Sequence, residues 1–368
     1  MNFDYNEEQQ LLADSVRRFL QKDYDFETRK KIVASAEGWS PRVWSTFTEM
    51  GLTGLPFSPD HGGFGGGAID LMGVMEAFGD ALVVEPYLAT LLAARLVSKT
   101  GSSEMQRQVL PPIVEGKLKL AFAHTEKGAR YRLDQVGATA KKAGGGWILE
   151  GEKKAVVGAP MADKLVVSAR GPQGLGLFLV DQGAQGVQLD SYKTLDEMRA
   201  ADVTLKGVKA EALGESSSGA LGHIEEATDF ATALVCAEAV GAMKFACDTT
   251  LEYLKTRKQF GVPIGTFQAQ QHRIVDMFIA YEQAKSMACL ACSKADSSKD
   301  ARDRMRSISA AKIKIADSAR HISQESVQLH GGMGMSEELK VSHSFRRLTV
   351  IAQQFGDADH HLERFASL

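Results

Sequence analysis

From residue 231 to residue 257 the chain reads ATALVCAEAVGAMKFACDTTLEYLKTR, about seven turns of helix-compatible sequence without a proline. Two further stretches, 267–294 and 303–329, repeat apolar residues at spacings of three and four, and SKADSSKDARD at 293–303 reads as the polar connector between them. Successive helices of such length bury their apolar stripes against one another, so the spacing predicts an antiparallel bundle. The region before it differs. GATAKKA, GGWILEGEKKAVV, KLVVSAR, LGLFLVDQ and ADVTLKGV are short runs of β-formers bounded by glycines, which predicts an antiparallel β-barrel or sandwich and excludes a βαβ nucleotide fold. Earlier still the pattern is helical. EEQQLLADSVRRFLQ places Leu11, Leu12, Val16, Phe19 and Leu20 on one stripe, LPFSPDHGGFGGG at 55–67 is a turn-rich loop, and Pro111-Pro112 is expected to break the last helix.

The expected organisation is therefore α+β: an N-terminal all-α domain over 1–116, a middle β domain over 117–215 and a C-terminal four-helix bundle over 216–368. A chain of 368 residues is long enough for more than one core. The formal charge of −3 gives no reason to expect nucleic acid or an anionic membrane as partner. No apolar window of about 18 residues stands out, so a membrane span is not expected, and residues 1–10 do not read as a secretory signal. Cys289 and Cys292 form a CxxC, but no second CxxC or His cluster accompanies it. Buried thiols in a reducing cytoplasm are the expectation, with no metal site.

Several runs in this order carry a family likeness. They are EEQQLLADSVRRF, the GLTGLPFSPDHGGFGGG loop, RKQFGVPIGTFQ at 257–268, and QLHGGMG at 328–334 about sixty residues later. Across essentially the whole chain the sequence resembles the acyl-CoA dehydrogenases, most closely the small subunits of bacterial heteromeric members acting on pimeloyl-CoA or steroid side chains. That resemblance implies FAD and α,β-dehydrogenation of an acyl-CoA thioester, in fatty acid or steroid side-chain degradation. It implies that Arg257 meets the FAD pyrophosphate of a neighbouring subunit, a task suited to a planar guanidinium. Phe260 would pack on the flavin or its linker, Gln268 and Gln328 would bond the adenosine half, and Gly331 and Gly332 would admit the cofactor where a Cβ would collide. Each residue also has a plain structural role: Arg257 as a helix C-terminal charge, Gly261 and Pro263 as a helix stop, Gly331–Gly332 as a turn.

Other positions depart from the family pattern. Where catalytic members carry a tryptophan and a threonine against the isoalloxazine, GEKKAVVGAP places Ala155 and Val157. Where they show a TEPGxGSD-like turn, this chain reads TEKGARYRLD, keeping Thr125, Glu126 and Gly128 but bringing in Arg130, Tyr131 and Arg132. Abstracting the Cα proton of a thioester needs a carboxylate within hydrogen-bond reach. The two family positions for that base are occupied by Phe355 and Ala231. Asp357 and Glu238 are the remaining candidates. Asp357 has an alternative role as a helix cap near His360, and Glu238 as the partner of a lysine or arginine in the bundle. His360 and His361 read as surface histidines at a helix start, and His330 as a packing or bonding group.

Three functions follow. The first is a subunit that completes the FAD site of a catalytic paralogue in an α2β2 tetramer, with electron-transferring flavoprotein as acceptor by analogy. The second is a self-sufficient homotetramer using Asp357 or Glu238. The third is a non-catalytic assembly or binding protein of the same fold.

Overall fold

The computed structural model describes residues 5–214 and 219–368; the expected boundary at 215/216 lies outside the described residues. Six helices come first: α1 (Glu7–Asp23), α2 (Phe26–Ala34), α3 (Pro41–Glu49), α4 (Ala68–Ala81), α5 (Tyr87–Thr100) and α6 (Ser103–Val114). Seven strands follow: β1 (Leu120–Ala123), β2 (Thr139–Ala143), β3 (Gly146–Val157), β4 (Lys164–Gly171), β5 (Gly174–Asp181), β6 (Val187–Lys193) and β7 (Arg199–Ala212). Then come α7 (Ala220–Thr256), a short hairpin of β8 (Lys258–Gln259) and β9 (Val262–Pro263), and four further helices. These are α8 (Gln268–Ser297), α9 (Ala301–His330), α10 (Lys340–Gln353) and α11 (Ala358–Ser367).

Two compact units result. One gathers Lys31–Gly66 and Val84–Ala231 and contains strands β1 to β7. There β4 pairs β2, β2 pairs β3, β3 pairs β7, β7 pairs β5, and β5 returns to β4, so the pairings close into a barrel. Most pairings are antiparallel, as expected, but β1 and β2 both join β4 in parallel. The core is small and aliphatic, built from Ala140, Leu149, Val156, Leu165, Val167, Phe178, Val203 and Leu205 among others. Two strands escape the sequence pattern: β1 is only four residues long, and β6 is largely exposed.

The other unit gathers Met1–Lys30, Gly67–Val83 and Thr232–Leu368. In it α9 packs against α8, α10 and α11, and α4 packs against α1 and α8. Asp296 near the end of α8 accepts hydrogen bonds from the Ala68 and Ile69 amides (2.8 and 2.9 Å), neutralising the exposed amides that open α4. The close crossing of α4 and α7 rests on two glycines. A Cβ on Gly241 would lie 1.8 Å from the Glu76 carbonyl oxygen, and one on Gly79 would lie 1.8 Å from that of Glu238.

Some expectations need correcting. Pro111 and Pro112 do not end α6 but occupy its last turn, where the amides of Glu115 and Lys117 take over the Pro111 and Pro112 carbonyls. The connector expected over 293–303 shrinks to 298–300, because Asp300 caps α9 through the Arg302 amide and α8 continues through polar residues. A membrane-length apolar segment does exist. Helix α7 is long and apolar enough to cross a bilayer, but 89% of its most apolar window is buried inside the protein, as a core helix is.

The glycine crossing yields a test. In an open helix Gly→Ala stabilises by up to about 1 kcal/mol through helix propensity. For Gly241→Ala the overlap with a neighbouring carbonyl outweighs that gain, and a net loss of about 2 kcal/mol in urea unfolding is expected. An unchanged or higher midpoint would show that the two helices separate freely.

Candidate functional site

Helix α7 ends at Thr256, and the chain then folds back through a two-residue loop. Lys258 pairs Pro263 and Gln259 pairs Val262, leaving Phe260 and Gly261 as the tip with φ of +55° and +83°. Two successive positive φ values make a type I′ turn, which suits the right-handed twist of a hairpin and favours Asn-Gly. Phenylalanine is a poor fit in that conformation. The residue is 92% exposed, and its ring meets Phe267 edge-on with centroids 6.2 Å apart. Gly261 and Pro263, read as a helix stop, are parts of this hairpin.

Arg257 sits at the hairpin's base. Its amide donates to the Tyr253 carbonyl and its carbonyl accepts from the Ile264 amide, both at 2.8 Å, so the backbone that carries the guanidinium is fixed. Across from it α9 ends at His330, and Gly331 turns the chain with φ 61° and ψ −143°, a region open essentially to glycine alone. A Cβ on Gly331 or Gly332 would meet nothing within 4 Å among the described residues beyond its immediate chain neighbours. Any crowding at Gly332 must therefore come from another molecule.

The two helix ends are locked together. His330 is buried and stacks on Tyr253 with centroids 4.4 Å apart. Its Nδ1–H donates to the Ser326 carbonyl (2.8 Å), and the Ser326 hydroxyl bonds Thr250 Oγ1 (2.8 Å). Burial holds the His330 imidazole below its ordinary pKa, so it is neutral at pH 7.

The result is an open hollow of about 470 Å³ whose lining includes Tyr253, Arg257, Gln259, Gln328, His330, Gly331 and Gly332. Among the described residues that line it, Arg257 is the one that carries a full charge. The carboxylates nearest in sequence are engaged elsewhere, Glu252 by Lys255 at 2.7 Å and Glu325 by Arg273 at 2.5 Å. The structure thus brings Arg257, Gln328, Gly331 and Gly332 together. Phe260 stands at the hairpin tip and Gln268 is the exposed first residue of α8, both outside the lining. Tyr253 escaped the sequence reading although it lies one helical turn before Arg257 on the same face.

In the barrel, Ala155 has φ +52° beside a register shift in β3, and Asp202 holds it there by accepting its amide at 3.0 Å. Beneath it lies a buried polar cluster that sequence reading did not foresee. The Lys153 ammonium donates to Glu126 Oε1 (2.7 Å), Ser168 Oγ (3.0 Å) and the His124 carbonyl (3.2 Å), and His124 Nδ1 bonds Ser168 Oγ at 2.9 Å. Glu126 also accepts from the Gly137 and Ala138 amides. Burial lowers Lys153 to about 8, partly opposed by Glu126, and lowers His124 to about 4. Thr125 is exposed, and its carbonyl accepts the Lys154 amide.

The candidate bases are both engaged. Glu238 lies in a two-bond ion pair with Arg347 of α10 (2.6 and 2.8 Å), buried on both sides. Asp357 caps α11 through the His360 amide at 2.9 Å, and Ala231 is fully buried. Phe355 is half-buried with φ +62°, in a turn whose carbonyls are pinned from below. Lys312 donates to the Ala352 and Gly356 carbonyls (3.2 and 2.8 Å), while His361 Nε2 bonds that of Phe355 at 3.2 Å. His361 is therefore not a surface residue. It is 1% exposed, and burial pushes its pKa down to about 2. The four cysteines are buried and unpaired, and burial raises the pKa of each thiol. Among the described residues no group of three or more His, Cys, Asp or Glu is placed to hold a metal ion.

Comparison with known proteins places this geometry. Residues 6–117, 121–208 and 221–367 match the family models for the Acyl-CoA dehydrogenase N-terminal, middle and C-terminal domains. The chain is 30% identical over 360 residues to the caffeyl-CoA reductase–Etf complex subunit CarC of Acetobacterium woodii, covering 94% of each. Among solved structures it resembles the Tcur3481–Tcur3483 steroid ACAD with a TM-score of 0.88 at 30% identity, covering 98% of this chain and 97% of the other. It resembles the FAD complex of PigA with a TM-score of 0.90 at 27% identity, covering 100% and 98%.

Two expected outcomes follow from the geometry. Phe260→Asn should raise the stability of the chain on its own by about 1 kcal/mol, because it removes left-handed strain and sacrifices almost no packing; a drop on urea unfolding would mean that the ring packs against its own chain. Lys153 gives a pH signature. Between about pH 8 and 10.5 the unfolded chain keeps a proton that folded Lys153 has released, so stability rises with pH across that window. Lys312, lowered to the same range, adds its own rise, so the comparison is between the wild type and Lys153→Met. The variant should lose about 3 kcal/mol of the rise. Parallel stability–pH curves would refute the assignment.

Proposed function

The chain belongs to the acyl-CoA dehydrogenase family, and from that premise we propose that it completes the FAD site of a catalytic paralogue rather than operating one of its own. One observation carries the reading: Arg257 faces an acid-free hollow bordered by glycines that nothing in its own chain crowds. A guanidinium in that setting suits the diphosphate of FAD. Gln328 would bond the adenosine half, with Gln268 and Phe260 reaching further along the cofactor. FAD, when bound, supplies the acceptor for the hydride that leaves the acyl Cβ.

The barrel supports the same division of labour. Ala155 and Val157 offer neither a ring to stack on an isoalloxazine nor a hydroxyl to bond it, the Ala155 amide is taken by Asp202, and the Glu126 carboxylate is saturated. Both candidate bases, Glu238 and Asp357, are engaged elsewhere. Glu238 as a base would have to abandon Arg347 in a buried site, a loss of about 3–5 kcal/mol. These features weigh against the self-sufficient homotetramer. The relatives add context, since one is named as a subunit of an Etf complex and another as a two-component steroid ACAD. A paralogous partner in an α2β2 assembly, acyl-CoA as substrate and electron-transferring flavoprotein as acceptor make up the proposal. Exposed Val275, Phe278 and Ile279 on α8, with Val262 in the hairpin and Phe267 just after it, offer apolar surface for such a partner.

The test is catalytic. The purified chain alone should show no dehydrogenation of acyl-CoA thioesters with an artificial electron acceptor, whereas the co-purified complex should be active and lose flavin about 10–100-fold more readily with Arg257→Ala. Activity of the single chain that disappears with Asp357→Asn or Glu238→Gln would establish the self-sufficient enzyme instead.

A further inference from the structure

We propose that the Gly331–Met335 turn is a redox-sensitive modification site: hydrogen peroxide converts Met333 to its sulfoxide in the unassembled chain, and the oxidised subunit then holds FAD less well. The second half rests on the reading that Arg257 receives the cofactor diphosphate, whereas the first half stands on exposure and chemistry alone.

Selectivity comes first. Met333 is 53% exposed and Met335 74%, whereas every other described methionine is buried or half-buried. The turn has no room to draw these two inward. Gly334 between them is buried so closely that a Cβ there would stand 2.6 Å from the Val327 carbonyl oxygen, and the Ser336 amide closes the turn on the Met333 carbonyl at 3.1 Å. Oxidation follows exposure, so peroxide reaches these two sulfurs before the others. Thiols do not compete. Peroxide attacks the thiolate form, and all four cysteines are buried with their pKa values raised, so little thiolate exists near neutral pH.

The step balances without a further reagent. The sulfur lone pair forms a bond to one peroxide oxygen as the O–O bond breaks, and the other oxygen leaves as water with both protons. Sulfur is oxidised by two electrons and the peroxide is reduced by two. The consequence falls on Arg257. Met333 lines the same hollow as Arg257, and Met335 lies outside that lining. A thioether is a weak acceptor, so the reduced side chain leaves the guanidinium N–H donors to a ligand. The sulfoxide puts a polar oxygen into the lining, an acceptor that competes with a phosphate for those donors. Met335, more exposed but outside the hollow, serves as the internal control.

The experiment treats the purified chain with hydrogen peroxide and maps the oxidised peptides by mass spectrometry, for wild type, Met333→Leu and Met335→Leu. Leucine nearly conserves the volume of methionine and has no sulfur to oxidise. Each chain, treated or untreated, is then combined with FAD and the catalytic paralogue proposed as its partner, and release of the flavin is followed by fluorescence. Met333 and Met335 should oxidise about tenfold faster than the other methionines. Oxidation should make the wild-type and Met335→Leu complexes lose flavin about tenfold more readily, and should not change Met333→Leu relative to its own untreated sample. A methionine sulfoxide reductase with a dithiol reductant should reverse the loss. Faster oxidation of a buried methionine, an equal effect of peroxide on Met333→Leu, or no effect on the wild type would overturn the proposal. An untreated Arg257→Ala complex separates the two readings. If it loses flavin while the oxidised wild type keeps it, this inference falls and the assembly role stands; if it keeps its flavin, the reading of the hollow falls and takes this inference with it.

Discussion

Arg257 lines a hollow in which no acid stands among the described residues, while Glu252 and Glu325 are matched to other cations. An exposed cation needs no counter-ion in water, so this is not a defect of folding. It is a standing electrostatic preference for an anion, presented by a rigid backbone. The rest of the local architecture serves that presentation. Helix α7 stops at Thr256 to release the arginine, the hairpin fixes its backbone, and the Tyr253–His330 stack joins it to the glycine turn at the end of α9.

Strain points the same way. A phenylalanine with φ +55° at the tip of a type I′ turn is costly where asparagine would sit at ease, and an aromatic ring left 92% in water returns nothing to the isolated chain. Phe355 is a second phenylalanine in the left-handed region, yet its surroundings differ. Lys312 and His361 pin the carbonyls of its turn from within the bundle. One strained residue faces outward and the other is clamped inward.

Much of the fold could be read from periodicity because the long helices bury wide apolar stripes and the strands alternate between glycines. What escaped depends on partners far away in sequence. The four residues of β1 make a strand only because β4 accepts them in parallel. Pro111 and Pro112 stay helical because a last turn forfeits few amide bonds, and α8 runs past its polar end because Asp303 of α9 holds Lys294 at 2.8 Å. His361 looked like a surface residue from its polar neighbours, but the Phe355 carbonyl and Ser309 hydroxyl draw it inside. The spaced set RKQFG and QLHGG singled out Arg257, Gln328, Gly331 and Gly332, which line one hollow, whereas Tyr253 and the Lys153 cluster emerge only when distant segments meet. The alternative roles for Glu238 and Asp357, an ion pair and a helix cap, are the ones the side chains adopt.

The proposed division of labour depends on where FAD is held, and counting flavin addresses that directly. The chain would be produced alone and together with the catalytic paralogue proposed as its partner, and the ratio of FAD to protein measured by absorbance after denaturation. One FAD per pair of unlike subunits, with next to none on the single chain, is the expected result. One tightly held FAD on every copy of the single chain would contradict it, because the barrel that carries Ala155 and Val157 would then be seating a flavin of its own.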